Sequence, residues 1–237
     1  MGRAFEVRKQ AMAASAAKKA VLYNRMAREI YLAAREGGTD PTDNLALRNA
    51  IDKAKSKQIP RDVIDRAIKK ASGNDNEKYQ AIRYEGYGPG GSAIIIDTLT
   101  NNVNRAVAEV RNCFTKTGGK LGVNGAVVHL FDPLAIFAFE GKTVEEILEL
   151  LLLANCDITD VVTEDGQVVV YAPATAFNSV KVVLDEAGIT TFQMAEITML
   201  PHERITLQGD DAERFAKMLN MFDEVDDVQD VYHNVVE

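Results

Sequence analysis

Asn101, Asn102, Asn104 and Arg105 gather at one predicted helix start. Free backbone N–H groups at a helix N-terminus favour anions, and Asn side chains can bond phosphate oxygens or base edges. A helix cap accounts for one asparagine and not for three. Arg111, Lys116 and Lys120 extend this basic region, while Tyr84 and Tyr87 offer rings for base stacking or for packing on a sheet. A second group of cations is Lys53, Lys55, Lys57 and Arg61. Lys53 and Lys57 have no acidic residue at helical spacing, Lys55 has only Asp52, and Arg61 has Asp65 in the weaker reverse order. Phosphate contact is the chemistry these four suit. Lys69, Lys70 and Arg66 crowd the same stretch, although Asp62 with Arg66 and Asp65 with Lys69 are also ordinary i,i+4 pairs. Lys18, Arg25, Arg28 and Arg35 fall within an arc of roughly 100°, opposite the apolar face of Leu22, Tyr23, Met26 and Ile30. Arg3, Arg8 and Lys9 are expected on a mobile arm that orders on a polyanion.

Other chemistry is sparse. His129, His202 and His233 stand far apart with no ligand spacing, so no metal is expected. Cys113 and Cys156 carry no nucleophile signature. Gly86-Tyr87-Gly88-Pro89-Gly90-Gly91 is a poor phosphate loop, because it opens a strand and Pro89 lacks an N–H; a tight entry into a sheet fits it better. Asp223, Glu224, Asp226 and Asp227 form an acidic cluster. It reads as a solvated turn, a divalent-ion loop lacking regular ligand spacing, or a counterweight to the basic helices that weakens polyanion binding. No catalytic constellation, cofactor motif or small-molecule site is expected.

The net charge of −8 over 237 residues argues against a nucleic-acid binder, but its distribution argues for one. Residues 1–72 hold 16 Lys and Arg against 8 Asp and Glu, a net of +8, and the remainder is −16. The last 33 residues are −7. A basic module that meets polyanions beside an acidic body follows. Two cysteines, no long apolar run and no apolar leader lead to the expectation of a cytoplasmic chain without a membrane partner.

The elements that would position these groups read as three helices, then α/β units. Helices are expected at 17–36, at 44–57 with Thr42 or Asp43 as cap, and from Pro60 to Gly73. A strand at 93–98, a helix over Ala106 to Phe114 and a strand near 125–131 make one βαβ. Residues 134–199 read as βαββαβ, the ferredoxin-like order, with a hairpin turn at Glu164-Asp165-Gly166. A strand at 204–207, a helix at 211–222 and a strand near 228–232 make a second βαβ. The predicted class is α+β: an N-terminal three-helix domain (1–73) followed by two ferredoxin-like α/β domains, one (133–201) inserted in the other (74–132 with 202–237). A lone βαβ is too small to bury both helix faces, so the outer pieces should pair.

Arg83-Tyr84-Glu85-Gly86-Tyr87-Gly88-Pro89-Gly90-Gly91, Asn101-Asn102-Val103-Asn104-Arg105 and Gly118-Gly119-Lys120-Leu121-Gly122 together resemble the YebC/PmpR family, which includes the mitochondrial translational activator of cytochrome oxidase. Asp226-Asp227-Val228-Gln229-Asp230-Val231-Tyr232-His233-Asn234, Ala50 to Lys55, Ile59-Pro60-Arg61 and Ile68-Lys69-Lys70 fit the same family. The likeness covers essentially the whole chain. Gly2-Arg3-Ala4-Phe5 replaces the His-Ser-Lys-Trp start common in the family, which places the chain nearer a YeeN-like branch. The resemblance implies three domains and no catalysis. It also implies a DNA-binding transcriptional regulator or a translation factor that contacts ribosomal RNA or tRNA on the ribosome and aids elongation at proline-rich stretches.

Overall fold

The computed structural model describes the backbone of residues 2–73 and 78–236, and side chains within those spans from Lys18 onward. The long first helix, α1 (Gly2–Gly37), reaches back through the segment expected to be an arm. Ala11, Ala13, Ala14, Ala16 and Ala17 favour that extension, since alanine loses no side-chain entropy in a helix. α2 (Leu45–Ser56) and α3 (Arg61–Ala71) pack on it. Ile30, Leu47, Ile51, Ala54, Ile64 and Ala67 make the shared core. The cap of α2 is Asn44 rather than Thr42 or Asp43. Asp40 already holds Thr42 in a local turn. The Asn44 amide instead donates to Ala33 O and Gly38 O while its oxygen accepts from Leu47 N, so one buried side chain joins the end of α1 to the start of α2.

The outer sandwich contains a strand that the sequence reading missed, β1 (Gln80–Tyr87). It forms an antiparallel hairpin with β2 (Ala93–Thr100), around the Gly-Pro-Gly-Gly turn. α4 (Val103–Lys116) leads to a two-residue strand, β3 (Lys120–Leu121), which pairs with β1. Of the expected strand at 125–131, residues 125–130 are a loop and a short 3-10 turn instead. α7 (Gly209–Glu224) leads into β8 (Val228–His233), which returns to pair with β2, giving the order β3-β1-β2-β8. The expected strand at 204–207 reduces to one bridge, Ile205 with Val235. Ile94, Ile96, Val110, Phe114, Phe215 and Phe222 fill the space between sheet and helices.

The glycines of the hairpin are structural. A Cβ at Gly86 would lie 2.6 Å from Lys120 O and 2.7 Å from Phe114 Cζ. Gly86→Ala is therefore expected to cost about 1–3 kcal/mol of stability, read as a lowered urea midpoint. The same change at Gly73, whose nearest contact would be 3.4 Å away, should be close to neutral.

The other unit comprises β4 (Phe131–Phe139), α5 (Val144–Leu153), β5 (Asp160–Glu164), β6 (Gln167–Pro173), α6 (Phe177–Glu186) and β7 (Met194–Pro201). Its antiparallel order, β5-β6-β4-β7, is the ferredoxin-like arrangement. Asp165 and Gly166 both take positive φ in the hairpin turn, as a tight two-residue connection requires. Its first and last residues meet: Phe131 pairs with Pro201, and His202 N donates to Leu130 O at 2.9 Å. Phe137, Phe139, Ile147, Leu151, Val180 and Leu184 form its core. Contacts divide the chain into residues 1–128 with 205–237, and residues 129–204. The three helices thus share a unit with the outer sandwich, and the inserted unit runs a few residues beyond the expected 133–201 at each end.

Candidate nucleic-acid interface

The basic residues fall into two groups, those spent on the fold and those left to solvent. Arg25 Nη2 donates to the carbonyls of Phe222 and Asp223 at 2.9 Å and of Val225 at 3.3 Å, and the Asp223 carboxylate lies 3.8 Å from Nη1. A cation at the C-terminus of α7 is favoured by the unpaired carbonyls and the helix dipole. Burial pushes the Arg25 guanidinium below its ordinary pKa, with Asp223 opposing the shift. Arg28 donates to Asp226 O at 2.6 Å and to Asp227 Oδ1 at 3.1 Å.

Asp227 is the centre of this seam. Its side chain is 0% exposed and also accepts from Arg105 Nε (2.9 Å) and Nη2 (2.8 Å) and from Thr100 Oγ1 (2.9 Å). One carboxylate thereby ties α1, the end of β2 and the start of α4 to the turn before β8. The hydrogen bond to Asp227 raises the Arg105 pKa. Lys53 pairs with Glu29 at 2.8 Å and lies 3.8 Å from Asp230. Lys18 Nζ reaches Asn220 Oδ1 at 3.4 Å, and Arg35 donates to Ala71 O and Gly73 O, both at 3.0 Å. Through Asp223, Asp226 and Asp227 the acidic cluster therefore lies against α1. Only Asp227 of the four is fully buried.

The asparagine group resolves into structural parts. Asn102 is the N-cap of α4 and accepts from Arg105 N; Asn101 Oδ1 accepts from Arg105 Nη2 at 3.1 Å. Asn104 is exposed. A cavity of about 270 Å³ lies here, lined by Arg28, Asn101, Arg105, Glu109, Glu224 and Asp226. Its lining is mixed in charge, and burial together with Asp227 raises the Glu109 pKa. Among the described residues no group of His, Cys, Asp and Glu could hold a metal ion. Cys113 is buried, and desolvation lifts its thiol to about 11, far from a reactive thiolate.

One group of solvent-facing cations lies on α2, just past its end and on α3. Lys55 has only a 3.4 Å contact with Asp52, and Arg61, 92% exposed at its side chain, only a 3.6 Å contact with Asp65. The side chains of Lys57 and Lys69 are exposed and make no hydrogen bond or ion pair with another described residue. Lys70 sits over the Tyr31 ring, 5.5 Å from its centroid. The side chains of Arg3, Arg8 and Lys9 lie outside the described residues.

Sequence reasoning overlooked Glu85. It is 2% exposed on the sheet face opposite the one packed by α4 and α7, and its carboxylate accepts from the backbone N–H groups of Gly125 (2.8 Å), Val127 (2.8 Å) and Val128 (2.7 Å). The signal available was an acidic residue between Tyr84 and Gly86, followed by no other charge until Asp97.

Family comparisons match this architecture along its length. Residues 3–74 match the TACO1/YebC protein N-terminal domain, and residues 79–235 match the TACO1/YebC second and third domain. The chain belongs to the TACO1/YebC family. It is 50% identical over 235 residues to a "probable transcriptional regulatory protein" of Vibrio cholerae, covering 99% of this chain and 98% of the relative. A protein of the same name from Alteromonas mediterranea is 50% identical over 237 residues, covering 100% and 99%. A crystal structure of a conserved hypothetical protein from Aquifex aeolicus superposes with a TM-score of 0.75 at 34% identity, covering 92% of this chain and 90% of that one. Among the described residues, no helix of this TACO1/YebC chain is long and apolar enough to cross a membrane.

Proposed function

We propose that this protein is a non-enzymatic regulator of gene expression that binds the DNA backbone through its basic helical domain, residues 1–73. The observation that carries this reading is the set Lys55, Lys57, Arg61 and Lys69, which is exposed and little used by the fold. Folding does not require these charges there, and long flexible cations on a helical rim suit phosphate oxygens. The names of the relatives support regulation of transcription. Arg25, Arg28, Lys53 and Arg105 contribute indirectly, by fixing the helices against the outer sandwich.

Replacing Lys55, Lys57, Arg61 and Lys69 together by Ala should weaken duplex binding and reduce the slope of log K against log salt by about 3–4. An unchanged slope would make the rim merely solvated. Lys53→Ala, at a cation already paired with Glu29, should change the slope by less than one phosphate's share. Backbone contact is shared by DNA and ribosomal RNA, so co-sedimentation in a salt-matched lysate completes the test. Recovery with ribosomes instead of DNA would replace transcription by the translation role that the resemblance also implies.

A further inference from the structure

Beyond residue 72 the chain is strongly acidic, yet several of its cations meet around the β3 edge of the outer sandwich. Lys116 ends α4, Lys120 lies on β3, and a Cβ built on Gly118 between them would be 3.3 Å from Arg214 Nη1. Lys217 follows Arg214 three residues along α7. Tyr87 is cross-strand from Lys120, so the two side chains share a face. Leu121, the next residue on β3, turns the other way into the core.

Two features make this edge unlike a scatter of surface lysines. Tyr87 is 43% exposed, and its hydroxyl donates to Ala126 O at 3.0 Å, which fixes an exposed ring in place. The loop that supplies Ala126 is itself held by Glu85 through Gly125, Val127 and Val128. That loop presents Val123, 79% exposed, at its tip. A pinned aromatic ring with one cation beside it on the same face, and further cations where the strand edge meets α4 and α7, suits unpaired bases: the ring stacks on a base face and the cations follow the backbone. A duplex offers no free base faces along its length.

We propose that the β3 edge is a second contact surface, one that takes single-stranded nucleic acid with a base stacked on Tyr87 and the adjoining phosphates at Lys120 and Lys116. The proposal rests on the nucleic-acid reading above and adds a strand preference that the α2–α3 rim does not supply.

Fluorescence anisotropy on the full chain tests it, with a labelled 12-nucleotide pyrimidine strand and a 12-base-pair duplex. Tyr87→Ala should weaken single-strand binding about ten-fold and duplex binding less than two-fold. Tyr87→Phe keeps the ring and should stay within about three-fold of the wild type. Lys120→Ala, at an exposed position, checks the edge without touching the ring. Unchanged single-strand affinity in Tyr87→Ala and Lys120→Ala would overturn the proposal, and so would equal losses on strand and duplex. If in that case the four-fold rim variant still weakens duplex binding, the function proposed above stands alone. A wild-type chain that binds neither probe would remove both.

Discussion

Asp227→Ala should destabilise the unit formed by residues 1–128 and 205–237 by about 3–5 kcal/mol, the range for stripping one partner from a buried ion pair. The carboxylate is fully buried and holds two guanidiniums and a hydroxyl. Its loss leaves Arg28 and Arg105 facing each other without their shared counterion. Asp227→Asn keeps the shape and one acceptor, so its cost should be smaller but still well above 1 kcal/mol. Urea unfolding of full-length variants measures both. A loss below about 1 kcal/mol for Asp227→Ala would mean that water replaces the carboxylate freely. A further readout is binding: as the seam loosens, Arg25 and Arg28 become available to phosphate, so duplex affinity at low salt should rise in the variants.

Glu85→Gln should be nearly as damaging, at about 3–4 kcal/mol. Three backbone donors lose a charged acceptor, each such bond being worth about 1.5–3 kcal/mol before relaxation, and the new amide turns its own donors toward them. The pH dependence follows from the same geometry. Burial works to raise the Glu85 pKa, but the N–H groups of Val127, Gly125 and Val128 outweigh it and hold the carboxyl below the ordinary glutamate value. A depressed folded pKa gives a contribution that is complete above the unfolded value, near about pH 4.3, and is lost as pH falls through the folded pKa. The stability gap between wild type and Glu85→Gln should therefore be constant at neutral pH and narrow on acidification. A gap that stays constant down to about pH 3 would show that Glu85 does not carry its charge into the fold.

The helical periodicities and the ferredoxin-like order were legible in the sequence because each depends on local spacing. Leu47, Ile51 and Ala54 line one side of α2, and Asp165-Gly166 marks its hairpin without reference to anything distant. β1 was not legible, since Gln80 to Tyr87 mixes charge, glycine and aromatics, and its strand character comes from pairing with β2. The segment at 125–130 looked extended because it is rich in β-branched and apolar residues, but Glu85 captures its backbone donors, and strand pairing begins only at Phe131. The cations show the same division. Spacing identified Lys57 as unpaired along its helix, and it stays so among the described residues. It could not show that Lys53, equally unpaired along α2, would meet Glu29 from α1, or that Arg25 and Arg28 would be bound by a turn some 200 residues away.

β2 has one neighbour close in sequence and one distant: β1 joins it through a tight turn, whereas β8 arrives more than 120 residues later. During synthesis from the N-terminus, β2 waits with one side of its hydrogen-bonding ladder open, the condition under which strands recruit wrong partners. The intervening unit shortens that wait in space though not in time. Because Phe131 pairs with Pro201, its folding brings the two points of departure and return side by side. The chain between β3 and α7 then closes like a short connection instead of a loop of some eighty residues, and most of the closure entropy is met by the insert's own core before β8 has to find its place.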